Sequence, residues 1–199
     1  MKKIQIKEEK EKRESRNKLI IGLILVALMI LSTAGYSFLS GEKSENAEKK
    51  VKYAGVEFIM GENGLWDFKV QDSQFSTQYN PEETEDIPAP VFLNINDYIN
   101  KPLFFAGNDT TARQEIARNL QGSVLRMQEA CISGYKEFSS CGEELPVKNC
   151  SQHNIIITLE SDSIEIKQEE NCVFIFAPYA EQTRAADSFI FKILNIGNF

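Results

Sequence analysis

The sequence predicts an α/β or α+β ectodomain, a mixed β-sheet with two main helices, preceded by one transmembrane helix. Three observations predict it. Leu19 to Leu39, LIIGLILVALMILSTAGYSFL, holds no charged residue and follows a dense run of charge. Beyond Tyr53, short alternating apolar runs are punctuated by Gly, Pro and Asn, the pattern of strands and turns. Two stretches, after Gly107 and after Tyr179, repeat apolar residues every three or four positions, the pattern of amphipathic helices. The expected organisation is a charged cytoplasmic tail at 1–18, the span at 19–39, a linker at 40–52 and one extracytoplasmic domain at 53–199.

Residues 1–18 mix Lys and Arg with Glu8, Glu9, Glu11 and Glu14 and read as a solvated tail that sets topology. The span follows. At about 1.5 Å per residue, 21 helical residues reach roughly 31 Å, close to the hydrocarbon thickness of a bilayer. Leu, Ile and Val dominate Leu19 to Leu31; Ser32, Thr33, Ala34 and Gly35 are small; Tyr36 and Phe38 suit the far interface. Lys2, Lys3, Lys7, Lys10, Lys12, Arg13, Arg16 and Lys18 precede it, and only Lys43, Lys49, Lys50 and Lys52 follow nearby. That bias predicts a single-pass signal-anchor in the cell membrane, N-terminus in the cytoplasm and C-terminal domain outside. The competing readings are a buried core helix, which the length disfavours, and a cleavable signal peptide, which Ser32 to Gly35 would suit. The polar stretch SGEKSENAEKKVK at 40–52 reads as a flexible spacer.

Composition bounds the partners. The chain carries a formal net charge of −7; its first 39 residues hold eight Lys and Arg against four Glu, a balance of +4, so the remainder carries −11. An acidic domain repels nucleic acid and anionic lipid headgroups. All four cysteines, Cys131, Cys141, Cys150 and Cys172, lie beyond the span. An even number in an oxidising compartment reads as two disulfides, for which three connectivities exist. Zinc is disfavoured, because there is no C-x-x-C and His153 is the one histidine.

The elements follow in order. Val56, Phe58 and Met60 alternate, Gly61-Glu62-Asn63-Gly64 turns, and Leu65, Trp66, Phe68 and Val70 continue, a hairpin. Phe75, Thr77 and Tyr79 suit a third strand. Asn80 to Pro90 is an acidic, proline-rich loop without the ligand spacing of a calcium hand. Val91, Leu93 and Ile95 predict a short strand, and Pro102 to Ala106 a strand buried on both faces, ending at Gly107. Thr111 to Gln114 matches a capping box, with Asp109 and Thr110 as rival caps. Ile116, Leu120, Val124, Met127 and Cys131 then predict the apolar face of a helix, with Arg113, Glu115, Arg118, Gln121 and Arg126 on its polar side. Residues 132–149 read as irregular. Ile155 to Leu159, Ile164 with Ile166, and Cys172 to Phe176 predict three strands, and Tyr179 to Leu194 a closing helix whose buried stripe is Ala186, Phe189, Ile190, Ile193 and Leu194. Gly197 stops it, and Phe199 is expected to pack.

Cysteine pairing follows from this order as a hypothesis. Cys131 and Cys141 bracket a short loop. If the last three strands run as a meander, Cys150 and Cys172 begin the first and third at the same end. Closing a loop of about 23 residues stabilises by roughly 3 kcal/mol in the chain-entropy treatment.

Candidate chemistry is sparse. Gly107-Asn108-Asp109-Thr110-Thr111 joins a strand's C-terminal end to a helix N-terminus, where free N–H groups favour anions. Helix capping explains the same residues. Cys150 and His153 form an imaginable thiol–imidazole pair, but the disulfide reading of Cys150 competes with it. Asn108-Asp109-Thr110 and Asn149-Cys150-Ser151 are glycosylation acceptor patterns at Asn108 and Asn149. No catalytic residue, metal site or cofactor is assigned.

The segments KPLFFAGNDTTARQEIARNL, RMQEAC, LPVKNCSQHNIII and ENCVFIF resemble small single-span proteins of unknown function predicted in archaeal genomes. That resemblance implies an archaeal cell-surface location and carries no known activity. The leading expectation is a membrane-anchored, non-enzymatic binding or scaffolding module whose partner is another envelope protein or surface component. The alternative is a membrane-tethered hydrolase or transferase using carboxylates near Gly107 to Thr111.

Overall fold

The computed structural model describes residues 16–29, 49–134, 141–142 and 144–197. The chain divides into two units, Met1–Ala47 and Glu48–Phe199. In the first, residues 16–29 form helix α1 with its side chains exposed. Among the described residues no helix is long and apolar enough to cross a membrane. The expected span is described only to Met29; residues 30–39 lie outside the described residues, as do the 1–15 tail, most of the linker and Phe199.

The second unit is a mixed α+β fold. Its first sheet is an antiparallel meander in the order β1-β2-β3-β4, from Lys50–Tyr53, Val56–Met60, Trp66–Val70 and Ser73–Thr77. Part of the expected linker is therefore strand, since Lys50 to Tyr53 pair with Ile59 to Val56. Alternation decides which face is buried. Phe58, Trp66, Phe68 and Phe75 point inward, while Glu57, Lys69 and Gln74 stay on the open face.

The second sheet has the order β10-β11-β9-β5-β6. Its strands are β5 (Pro102–Gly107), β6 (Arg126–Glu129), β9 (Asn154–Glu160), β10 (Glu165–Glu169) and β11 (Cys172–Ala177). Neighbours run parallel except β10 on β11. The last three strands are thus not a simple meander, because β11 inserts between β9 and β10. Burial explains the order. β9 and β11 are apolar on both faces and take interior places, whereas β10 carries Glu165, Lys167 and Glu169 and takes the edge. β9 and β11 still begin at one end, where Cys172 stands opposite Ile155.

Helices α3 (Thr111–Leu120) and α4 (Gln182–Ile193) lie between the sheets. Phe191 of α4 meets Phe58 and Phe68 of the meander, each at 5.9 Å between ring centres. The same cluster takes in Leu103, Phe105, Ile156, Val173 and Ile175 from the second sheet. Sandwiched this way, α4 is buried almost all round, including Asp187 and Ser188, rather than along one stripe. A smaller cluster of Phe104, Ile155, Ile157, Leu159 and Phe174 fills the opposite face of the second sheet. There a short parallel pair, β7 (Cys131–Ile132) and β8 (Val147–Lys148), stands where irregular chain was expected, with the Lys148 ammonium over the Phe104 ring.

Two elements differ from expectation. The Val91 to Ile95 alternation does not make a strand. Asn94 accepts from the Asn96 N–H and Asp97 from the Asn94 N–H, a capping box that starts helix α2 (Ile95–Tyr98). The helix expected through Cys131 stops at Leu120, where Ser123 and Val124 N–H groups turn back to the Leu120 carbonyl beside Gly122. Met127 then belongs to β6 and Cys131 to β7; their helical spacing is coincidental.

Candidate functional site

The parallel strands end together at one edge, the place where open α/β sheets present ligands. β5 leaves the sheet through Gly107, at φ +98°, and a Cβ there would fall 2.0 Å from the Thr158 carbonyl oxygen of β9. Only glycine fits both the angle and the approach. The Asp109 N–H then donates to the Thr158 carbonyl at 3.2 Å, and the Thr158 hydroxyl donates to the Asp109 carbonyl at 2.7 Å. These bonds fix the start of α3.

The helix N-terminus is capped from within. The Asp109 carboxylate accepts from the N–H groups of Thr111 (2.7 Å) and Ala112 (3.3 Å). Thr110 stands at the N-cap position, but its side chain makes no cap bond, and Thr111 is the first helical residue. Burial raises the Asp109 carboxyl above the ordinary range; its two N–H bonds and Arg113 pull it down, and Glu160 pushes it up. Asn108, Glu160, Ser161, Asp162, Pro178 and Tyr179 line a shallow cleft of about 640 Å³ beside it. Tyr179 is largely exposed there. Arg113 turns away, pairing with Glu129 and donating to the Gly107 carbonyl at 3.0 Å. The five expected residues Gly107, Asn108, Asp109, Thr110 and Thr111 thus stand together, with the N–H groups of Thr111 and Ala112 already held by Asp109.

The other expected residues lie elsewhere. Cys131 stands beside Cys141 and Cys150 beside Cys172 at disulfide distance, with Cα separations of 5.5 and 5.1 Å. Cys150 is thus no free thiol, and His153 packs edge-on against Phe104 with Nδ1 3.3 Å from the Asn149 carbonyl oxygen. Asn108 is exposed, whereas the Asn149 side-chain oxygen accepts from the Ser151 hydroxyl and the Gln152 N–H. In the acidic loop, Glu83 caps the Asn80 N–H and Asp86 pairs with Arg184.

One cluster escaped sequence reasoning. Glu115 is 5% exposed, not on the polar side of α3, and Asp187 of α4 is 0% exposed. Their carboxyl groups face each other across the helix pair. Asp187 Oδ2 accepts from the Tyr79 N–H at 2.9 Å, and Arg118 bonds Glu115 and the Ser76 carbonyl. Burial is the first cause that raises both carboxyls, Asp187 well above the ordinary range. An Asp inside the apolar stripe of the last helix was the available signal.

Compared with protein-family models, curated proteins and solved structures, the chain matches none.

Proposed function

We propose that the chain is a membrane-anchored extracytoplasmic protein whose folded unit binds or scaffolds another component of the cell envelope. The observation that carries export is the set of paired cysteines: all four stand in two pairs at disulfide distance, which suits an oxidising compartment. The basic tail before Leu19 supports the orientation, and the apolar side chains of α1 are exposed, as lipid contact requires.

The cleft at the C-terminal edge of the parallel strands is the contact face in this reading. It is shallow and carries Glu160 and Asp162 around the exposed Tyr179. A partner presenting Lys or Arg fits that charge. The binding reading is preferred to a tethered hydrolase or transferase because Asp109 spends its carboxylate on α3, while Glu160 and Asp162 line an open, shallow cleft. A photo-crosslinker replacing Tyr179, used in native membranes, tests it. The expected result is one discrete adduct that weakens as salt rises, with none from the same group at Lys69 on the meander. No adduct, or equal adducts from both positions, would overturn it.

A further inference from the structure

The interface between α3 and α4 holds more carboxyl groups than positive charge. Glu115 and Asp187 face one another inside it, and the guanidinium that reaches them is that of Arg118. One guanidinium neutralises one carboxylate. Asp187 Oδ2 is satisfied by the Tyr79 N–H, but Oδ1 is buried with no donor. Two ionised carboxylates can only accept, so both would leave Oδ1 unpaired beside a like charge. A single proton between them resolves both faults: it supplies the missing donor and removes the excess charge.

Among the described residues the surroundings offer no other remedy. The second sheet faces this layer with Ile156, Val173, Ile175 and Ala177, and the meander with Phe58, Phe68 and Phe75. The Tyr98 hydroxyl of α2 is buried and lies on the Phe189 side. Arg184 of α4 turns to Asp86 and Glu181, and Glu83 caps Asn80. The Gln78 backbone also favours the Glu115 anion, and Asn119 bonds the Ser76 N–H and the Glu115 carbonyl oxygen.

We propose that Glu115 and Asp187 share one proton in the folded protein, and that this proton latches α3, α4 and the chain after β4 together until rising pH removes it. The unfolded chain releases that proton above about pH 4, the ordinary carboxyl range. The folded state therefore binds more protons than the unfolded state above that pH, so stability falls as pH rises. The loss begins near the ordinary carboxyl value and is complete when the folded pair itself ionises. Over that window the unfolding constant grows by up to about tenfold per pH unit for one proton.

The test uses the full chain in detergent micelles. Infrared spectra at neutral pH should show the carbonyl stretch of a protonated carboxyl that survives Asp109→Asn and disappears in Asp187→Asn. An Asn at 187 can still accept from Tyr79 and can donate to Glu115, so D187N should unfold with a flatter pH profile. Glu115→Gln should flatten it likewise and serves if D187N does not fold. A wild-type spectrum without that band, or wild-type stability that is level or rising from pH 5 to 8, would overturn the proposal.

Discussion

Asp109 and Asp187 are both buried aspartates at the ends of polar contacts to α3, yet their surroundings make them opposites. Asp109, at the sheet edge, meets two N–H donors and a nearby guanidinium. Asp187, in the helix interface, meets one N–H and another carboxyl group. At the edge, the capped N–H groups and Arg113 oppose the burial that still raises the carboxyl. The interface carboxyl is held by what its neighbour can share. Burial alone therefore does not say whether an acid strengthens a fold; the count of donors does.

Substitutions separate the two sites. The largest effect is expected at Gly107, whose backbone carries the edge. Gly107→Ala places a Cβ against Thr158 and should cost about 4 kcal/mol or prevent folding, read by urea unfolding. Replacing Cys150 and Cys172 together by Ser should cost about 3 kcal/mol, since their loop is tied at the start of β9 and β11. Asp109→Ala should then cost about 1 kcal/mol at neutral pH by freeing two helix N–H groups, with Asp109→Asn costing less. Asp187→Asn should do the reverse and raise the thermal midpoint at neutral pH, because an amide supplies the donor without the proton that the pair must take up on folding. If both Asn variants shift stability in the same direction, the distinction between the two sites fails. The smallest effect is expected at Asp86. Its exposed pairing with Arg184 holds its carboxyl below the ordinary range, so any stability it adds is present above about pH 4 and lost as acid protonates it. Asp86→Asn should lower the midpoint by no more than about one degree at neutral pH, read by thermal unfolding.

What the sequence showed follows the range of each interaction. The Gly61–Gly64 hairpin, the buried β5 strand and the closing helix are local patterns and were legible. So was the region of the edge site, because strand, glycine and cap are contiguous in the chain. The cysteine pairs were legible although the meander behind one of them was not: β9 and β11 start at the same end whether or not β10 lies between them. The Asn94–Asp97 capping box was a readable signal hidden by the alternation of Val91, Leu93 and Ile95. β6 was hidden differently, since Val124, Met127 and Cys131 continue a helical spacing past a turn that Gly122 opens. Asp187 within an apolar stripe was readable, but its pairing with Glu115 was not. Glu115 and Asp187 meet only after two sheets have closed on their helices, and Tyr79, the donor, stands 108 positions from Asp187.

The functional reading rests first on which side of a membrane each unit occupies. Intact cells treated with a membrane-impermeant lysine reagent, followed by peptide mass spectrometry, test this directly. The exposed Lys69 and Lys101 should be labelled, while Lys2, Lys3, Lys7, Lys10 and Lys12 should stay unlabelled until the membrane is opened. Labelling of the tail in intact cells, or protection of Lys69 and Lys101 there, would contradict an exported domain on a cytoplasmic anchor.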